Sequence, residues 1–242
     1  MRRYREAEVS FGPPLTRVVK NLIIITAAIF VVTLILEGRR WAYPSGWFGL
    51  TPYLVTHKLF LWQAVTYLFL HAGFFHVIFN LFALWMFGSD LERMWGPRRF
   101  LFYFFLTGIG AAVCEVLLQP SRAFPPTVGN SGAVYGVLLA YGLLFPERPI
   151  LFALIVPIKA KWFVVIMGAI AFLSALATPG SVISHVAHLG GMLFGFLYLR
   201  GRSLPYWWEL RYHAWRRARL RRQFEVYMRR REKKDQTGRW IH

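Results

Sequence analysis

Six long apolar stretches fix what this chain can become: Val18–Leu36, about Ala64–Phe87, Phe100–Leu118, Ser131–Phe145, about Trp162–Ala177 and Val182–Leu199. A bilayer core of about 30 Å is crossed by roughly 20 mostly apolar helical residues, and somewhat fewer suffice where polar groups line a protein interior. Stretches of this length, in this number, predict an all-α membrane protein, a bundle of six transmembrane helices with both termini on one side. The composition agrees: 56% of residues are hydrophobic and 17% charged, against about a quarter charged in soluble domains. Disorder is excluded by the apolar content, and a disulfide scaffold by the single Cys114. A net charge of +18 suggests nucleic acid at first sight, but basic residues flanking membrane spans account for it, so no nucleic-acid partner is expected.

Lys and Arg beside spans accumulate on the cytoplasmic side. With both termini inside, 25 of the 29 fall on inner segments; Arg39, Arg40, Lys58 and Arg122 fall outside. The first stretch resembles a signal peptide, yet it ends in Glu37-Gly38-Arg39-Arg40 with no small-residue cleavage pattern, so a retained helix is expected. The expected organisation is a basic cytoplasmic arm over residues 1–17, a membrane domain over 18–201 and a basic cytoplasmic tail over 202–242, whose partner is anionic lipid headgroups. Trp41 to Trp62 is rich in aromatic residues and reads as an outer loop lying in the interface. Ile150 to Ile158 is too short to span and is placed along the inner face. Inside-positive loops suit a bacterial inner membrane most simply.

Polar side chains within spans are costly and by default face the bundle interior or a water-filled cavity. His71, His76 and Asn80 sit in the outer half of span two, Ser131 opens span four, and His185 and His188 fall in the first two turns of span six. All three spans run from outside to inside, so these residues converge at one depth. Ser131 stands in Gly129-Asn130-Ser131-Gly132. Glycines there permit a sharp turn and a close approach to the hydroxyl, and the unpaired N–H groups of a helix start can receive an oxyanion. Gly132/Gly136 and Gly191/Gly195 form small-xxx-small steps that let spans four and six pack backbone to backbone. Ser131 and His188 would then meet, and a neutral imidazole can take the proton that makes a serine a nucleophile.

Other readings compete. His185, one turn before His188, could be the base, although it lies nearer the mouth and has no glycine step directly after it. His71 could bond a loop carbonyl. Glu115, the only carboxylate within a span, could orient a histidine, but snorkelling to the interface suits its position better.

The motifs His71-Ala72-Gly73-Phe74-Phe75-His76-Val77-Ile78-Phe79-Asn80, Gly129-Asn130-Ser131-Gly132 with Tyr135, and Ala187-His188-Leu189-Gly190-Gly191 through Gly195 together resemble the rhomboid intramembrane serine proteases. The resemblance runs from about Trp62 to Gly195. It implies a Ser-His dyad without a required acid, with Ser131 as nucleophile and His188 as base, and no cofactor or metal. It also implies that His76 and Asn80 donate to the oxyanion beside the Ser131 N–H. Tyr135 would stack on the catalytic imidazole, and His71 would brace the loop side of the cavity. Where the family often has Trp-Arg in the first outer loop, this chain has Trp62-Gln63.

The expected function is therefore hydrolysis of peptide bonds in or beside the transmembrane helix of single-pass membrane proteins. Two alternatives stand beside it: a non-catalytic rhomboid-like helix-binding protein, and a metal transporter lined by His71, His76, His185 and His188.

Overall fold

The computed structural model describes residues 12–39, 43–152, 156–177 and 184–201. Arg2, Arg3 and Arg5 of the basic arm, Trp41, Val182 at the expected start of span six, and the tail 202–242 lie outside the described residues. The chain divides into two compact units, Met1–Leu197 and Tyr198–His242, and the architecture that follows is that of the first.

Helix α1 (Arg17–Gly38) leads into three short helices, α2 (Pro44–Phe48), α3 (Pro52–Lys58) and α4 (Gln63–Thr66), the last continuing as a 3-10 turn over Tyr67–Phe69. Proline opens α2 and α3, where its fixed φ suits a first turn and its missing N–H costs nothing. Next come α5 (Phe74–Ala83), a π-helical turn at Leu84–Gly88, and α6 (Ser89–Trp95), which together make one continuous helix of 22 residues. Helix α7 (Pro97–Leu118) and helix α8 (Ser131–Leu144) follow. The antiparallel hairpin β1 (Pro149–Phe152) and β2 (Val156–Lys159) pairs Ile150 with Ile158 and thus takes up the segment too short to span. Helix α9 (Ala160–Ala177) and helix α10, which starts at residue 185, complete the first unit. Beside the hairpin, exposed Glu147 bonds Lys159 at 2.7 Å and Lys161 at 2.5 Å, and these cations hold its carboxyl down at about 2.

Among the described residues, four helices are long and apolar enough to cross a membrane: α1, Phe74–Trp95, α7 and α9. Helices α1 and α9 leave Ile24, Val31, Leu34, Leu173 and Leu176 exposed. Apolar surface on that scale is foreign to a soluble monomer and belongs against lipid.

The expected span two, from about Ala64 to Phe87, is corrected at both ends. Ala64–Phe69 belongs to α4 and its 3-10 turn; the chain is not helical through Leu70–Gly73, and the long helix starts only at Phe74. At the other end the helix continues through Asp90 and Glu92 because both carboxylates are satisfied. Glu92 accepts the backbone N–H groups of Val18 and Val19, each at 3.0 Å, capping the positive end of α1. Asp90 pairs with Arg93 and, at 2.7 Å, with Arg148.

Helix α8 is the enclosed centre, packed against α7, α9 and the π-turn. At 14 residues it is about 21 Å long, well short of its neighbours. Its depth can be read from its contacts with antiparallel α7. A Cβ added at Gly132 would meet Ala111, and one at Gly136 would meet Thr107. Helix α7 runs seven residues beyond Ala111, roughly 10 Å, so Ser131 lies that far below the end of α7. The connection over residues 119–130 folds over it, tied by reciprocal backbone bonds between Leu50 and Thr127 at 2.9 and 2.8 Å.

Candidate active site

Ser131 is the first residue of α8, and the turn that delivers it is specified by its neighbours. Gly129 has φ +115, a conformation that side chains disfavour. Its N–H donates to the Tyr67 carbonyl at 2.9 Å, and the Tyr67 hydroxyl donates to the Gly108 carbonyl at 2.7 Å. The His76 ring lies over the same glycine: a Cβ at position 129 would stand 2.7 Å from its Cε1 and 2.9 Å from its Nε2. Glycine is thus required here twice, for backbone conformation and for space.

His188 reaches Ser131 from α10, with 2.7 Å between Nε2 and the serine Oγ. The two helices can come this close because a Cβ at Gly191 would collide with the Gly132 carbonyl oxygen. The imidazole is 5% exposed and lies flat against Tyr135, with ring centroids 4.2 Å apart and planes 6° from parallel. Tyr135 is four residues after Ser131 and so shares its face of α8. With the imidazole proton assigned to Nδ1, the serine hydroxyl donates to Nε2. His188 Nδ1 is buried and meets no hydrogen-bond partner among the described residues.

His76, in the first turn of α5, is assigned the opposite tautomer. The Ala72 N–H donates to its Nδ1 at 3.4 Å, which leaves the proton on Nε2. That Nε2 is buried without a partner among the described residues. Asn80, one turn later, donates through Nδ2 to the His76 carbonyl at 2.8 Å, and a second hydrogen remains on that nitrogen. The structure therefore gathers Ser131, His188, Tyr135, His76, Gly129 and Gly132 at the start of α8, with Asn80 turned toward its own helix.

His71 and Glu115 sit differently from expectation, and His185 leaves the serine contact to His188. His71 precedes α5 rather than lying within a span; its ring stands edge-on to His76 at 5.0 Å. His185 packs edge-on against His188 at 5.6 Å, while the serine hydroxyl pairs with His188. Glu115 does not snorkel. It is wholly buried, engaged by Arg122, Thr127 and Ser184. Among the described residues no three His, Cys, Asp or Glu side chains form a group that could hold a metal ion.

Sequence reasoning missed Ser184, Arg122 and Thr127. Ser184 carried a readable signal, a serine just before a helix start, but the apolar run drawn from Val182 concealed it. At Trp62-Gln63, wholly buried Gln63 holds the first loop: its Oε1 accepts the Thr51 N–H at 3.0 Å and its Nε2 donates to the Trp47 carbonyl at 3.2 Å.

Chemically, the site offers a serine hydroxyl whose proton has an acceptor at hydrogen-bond distance. Beside it are candidate oxyanion donors: the N–H groups of the α8 start, which no preceding helical turn can engage, and the His76 Nε2, which has no partner among the described residues.

The rhomboid-domain family profile matches residues 58–203. The chain is 30% identical over 166 residues to Rhomboid protein 1, mitochondrial, of Saccharomyces cerevisiae, covering 65% of this chain and 47% of that protein. It is 32% identical over 146 residues to Rhomboid protease GluP of Bacillus subtilis, covering 60% and 26%. With Presenilin-associated rhomboid-like protein, mitochondrial, of Bos taurus it shares 28% identity over 186 residues, covering 73% and 46%. The chain thus spans half or less of the length of these relatives.

Proposed function

The chain belongs to the rhomboid family, and from that premise we propose that it is an intramembrane serine endopeptidase with Ser131 as nucleophile and His188 as general base. The observation that carries the reading is the part-buried 2.7 Å contact between Ser131 and His188, placed at a helix start beside a His76 Nε2 that has no partner among the described residues.

A single-pass substrate helix enters sideways and unwinds near its outer end, because a helical amide is shielded by its own hydrogen bonds. Ser131 Oγ bonds to the scissile carbonyl carbon as its proton passes to His188 Nε2. The resulting oxyanion is held by the Ser131 N–H and His76 Nε2–H, with Asn80 contributing once its amide turns from the His76 carbonyl. Collapse of the intermediate breaks the C–N bond, and the imidazolium returns its proton to the leaving amine. Water then attacks the acyl carbon and gives a proton to His188; the bond from that carbon to Ser131 Oγ breaks, the new carboxyl end leaves, and His188 returns the proton to Oγ. Tyr135 keeps the imidazole plane aligned through both halves, and His71 walls the cavity beside His76.

The same reading includes six spans in a bacterial inner membrane, both termini in the cytoplasm, and the basic tail on anionic headgroups. Labelling of the detergent-purified protein with a fluorophosphonate tests the catalytic claim. Wild type is expected to label, and Ser131→Ala and His188→Ala, while folded, to lose labelling. A folded wild type that does not label would leave a helix-binding role in its place.

A further inference from the structure

Glu115 lies three residues before the end of α7, and burying a carboxylate so completely requires several compensating partners. Its oxygens gather three segments. Oε1 pairs with Arg122 and accepts the Thr127 hydroxyl at 3.2 Å, and Oε2 accepts the Ser184 hydroxyl. Arg122 also donates to the Pro125 carbonyl at 3.0 Å. One side of the carboxylate is therefore fastened to the connection that runs through Thr127 and Gly129 into Ser131.

The other side reaches the helix that carries His188. While donating its proton to Glu115, Ser184 Oγ accepts the Ala187 N–H at 3.1 Å. The Ser184 carbonyl accepts the His188 N–H at 3.3 Å. Ser184 is thus the N-cap of α10, and His188 stands in the turn it caps. A hydroxyl has one hydrogen and two lone pairs; Glu115 takes the hydrogen and so aims a lone pair at the helix start. The start of α8 abuts this same turn, since a Cβ at Gly132 would lie 3.0 Å from the Ala187 carbonyl oxygen.

We infer that Glu115 is a positioning residue for the Ser131–His188 pair, acting through the Ser184 hydroxyl that caps the His188 helix. The inference rests on the catalytic reading above. It assigns Glu115 no contact with substrate and no proton transfer with His188, since its oxygens are engaged elsewhere. Misplacing a reacting group by about 1 Å can cost on the order of a hundredfold in rate.

The full-length protein in detergent tests this with Ser184→Ala, Ser184→Thr and Glu115→Gln, followed by fluorophosphonate labelling rates and by ¹⁵N resonances of the His188 ring. Ser184→Ala is expected to lower the maximal labelling rate about 10- to 100-fold with the half-saturating probe concentration unchanged. Ser184→Thr, which restores a hydroxyl, should recover most of that rate. Glu115→Gln combined with Ser184→Ala should be no slower than the slower single variant. In Ser184→Ala the His188 resonances should move toward those of Ser131→Ala, and in Ser184→Thr they should return. Wild-type rates and unmoved resonances in Ser184→Ala would overturn the inference, as would a threonine variant as slow as the alanine one. If wild type itself fails to label, the catalytic reading falls, while the His188 resonances still decide whether Ser184 positions the ring.

Discussion

Gly191 faces the backbone carbonyl of Gly132 so closely that a methyl group at position 191 would occupy the space of that oxygen. The obstacle is main chain, which cannot rotate aside as a side chain could. The whole face of α10 would have to withdraw from α8, and with it His188 from Ser131.

Gly191→Ala is accordingly expected to lower stability by about 1–3 kcal/mol and to slow fluorophosphonate labelling at least tenfold. Thermal unfolding in detergent and labelling kinetics check the two effects separately. A variant as stable and as fast as wild type would show that the helices have room between them.

His76→Ala is expected to cost more turnover than Asn80→Ala, and both less than Ser131→Ala. The His76 Nε2–H has no other partner among the described residues, whereas the Asn80 amide is engaged with the His76 carbonyl. Loss of an oxyanion donor corresponds to roughly 2.7–4 kcal/mol of barrier, about a hundred- to thousandfold in rate. Cleavage of a reconstituted single-pass substrate measures this, and a reversed order would place the oxyanion nearer Asn80.

Tyr135→Phe should retain nearly wild-type labelling, because the contact with His188 is face to face between rings. Tyr135→Ala removes a ring interaction of about 0.5–1.5 kcal/mol and frees the imidazole to tilt, so slower labelling is expected. Equal losses in both variants would assign the effect to the hydroxyl.

Gln63→Ala should destabilise the chain by about 1–3 kcal/mol, chiefly by leaving the buried Thr51 N–H without an acceptor. The Trp47 carbonyl still keeps its bond from Trp62 Nε1 at 3.1 Å. Limited proteolysis of the first loop, together with thermal unfolding, reports the outcome.

Membrane character and the meeting of Ser131 with His188 were legible because each rests on a local rule. Apolar length marks a helix, and glycine steps four residues apart mark where two helices approach. Span two was harder. Hydropathy runs unbroken from Ala64 to Phe87 although the backbone is extended at Gly73, and the helix survives past Asp90 and Glu92 only through partners as distant in sequence as Arg148 and Val18. Glu115 was misread for the same reason. Its partners, Arg122, Thr127 and Ser184, converge only once the fold exists, and no spacing in the chain announces them.

The π-helical turn at Leu84–Gly88 also works as a phase adjuster between the two halves of a single rod. Each residue of an α-helix advances the azimuth by about 100°, so a one-residue change within that turn would spin one half against the other. The half bearing His76 would then keep its orientation only if the half bearing Asp90 and Glu92 lost its own, and the reverse. Sequence changes in this turn are therefore constrained from both ends of the rod at once, although its one polar side-chain group, the Trp85 indole N–H, is occupied with the Pro13 carbonyl at 3.0 Å.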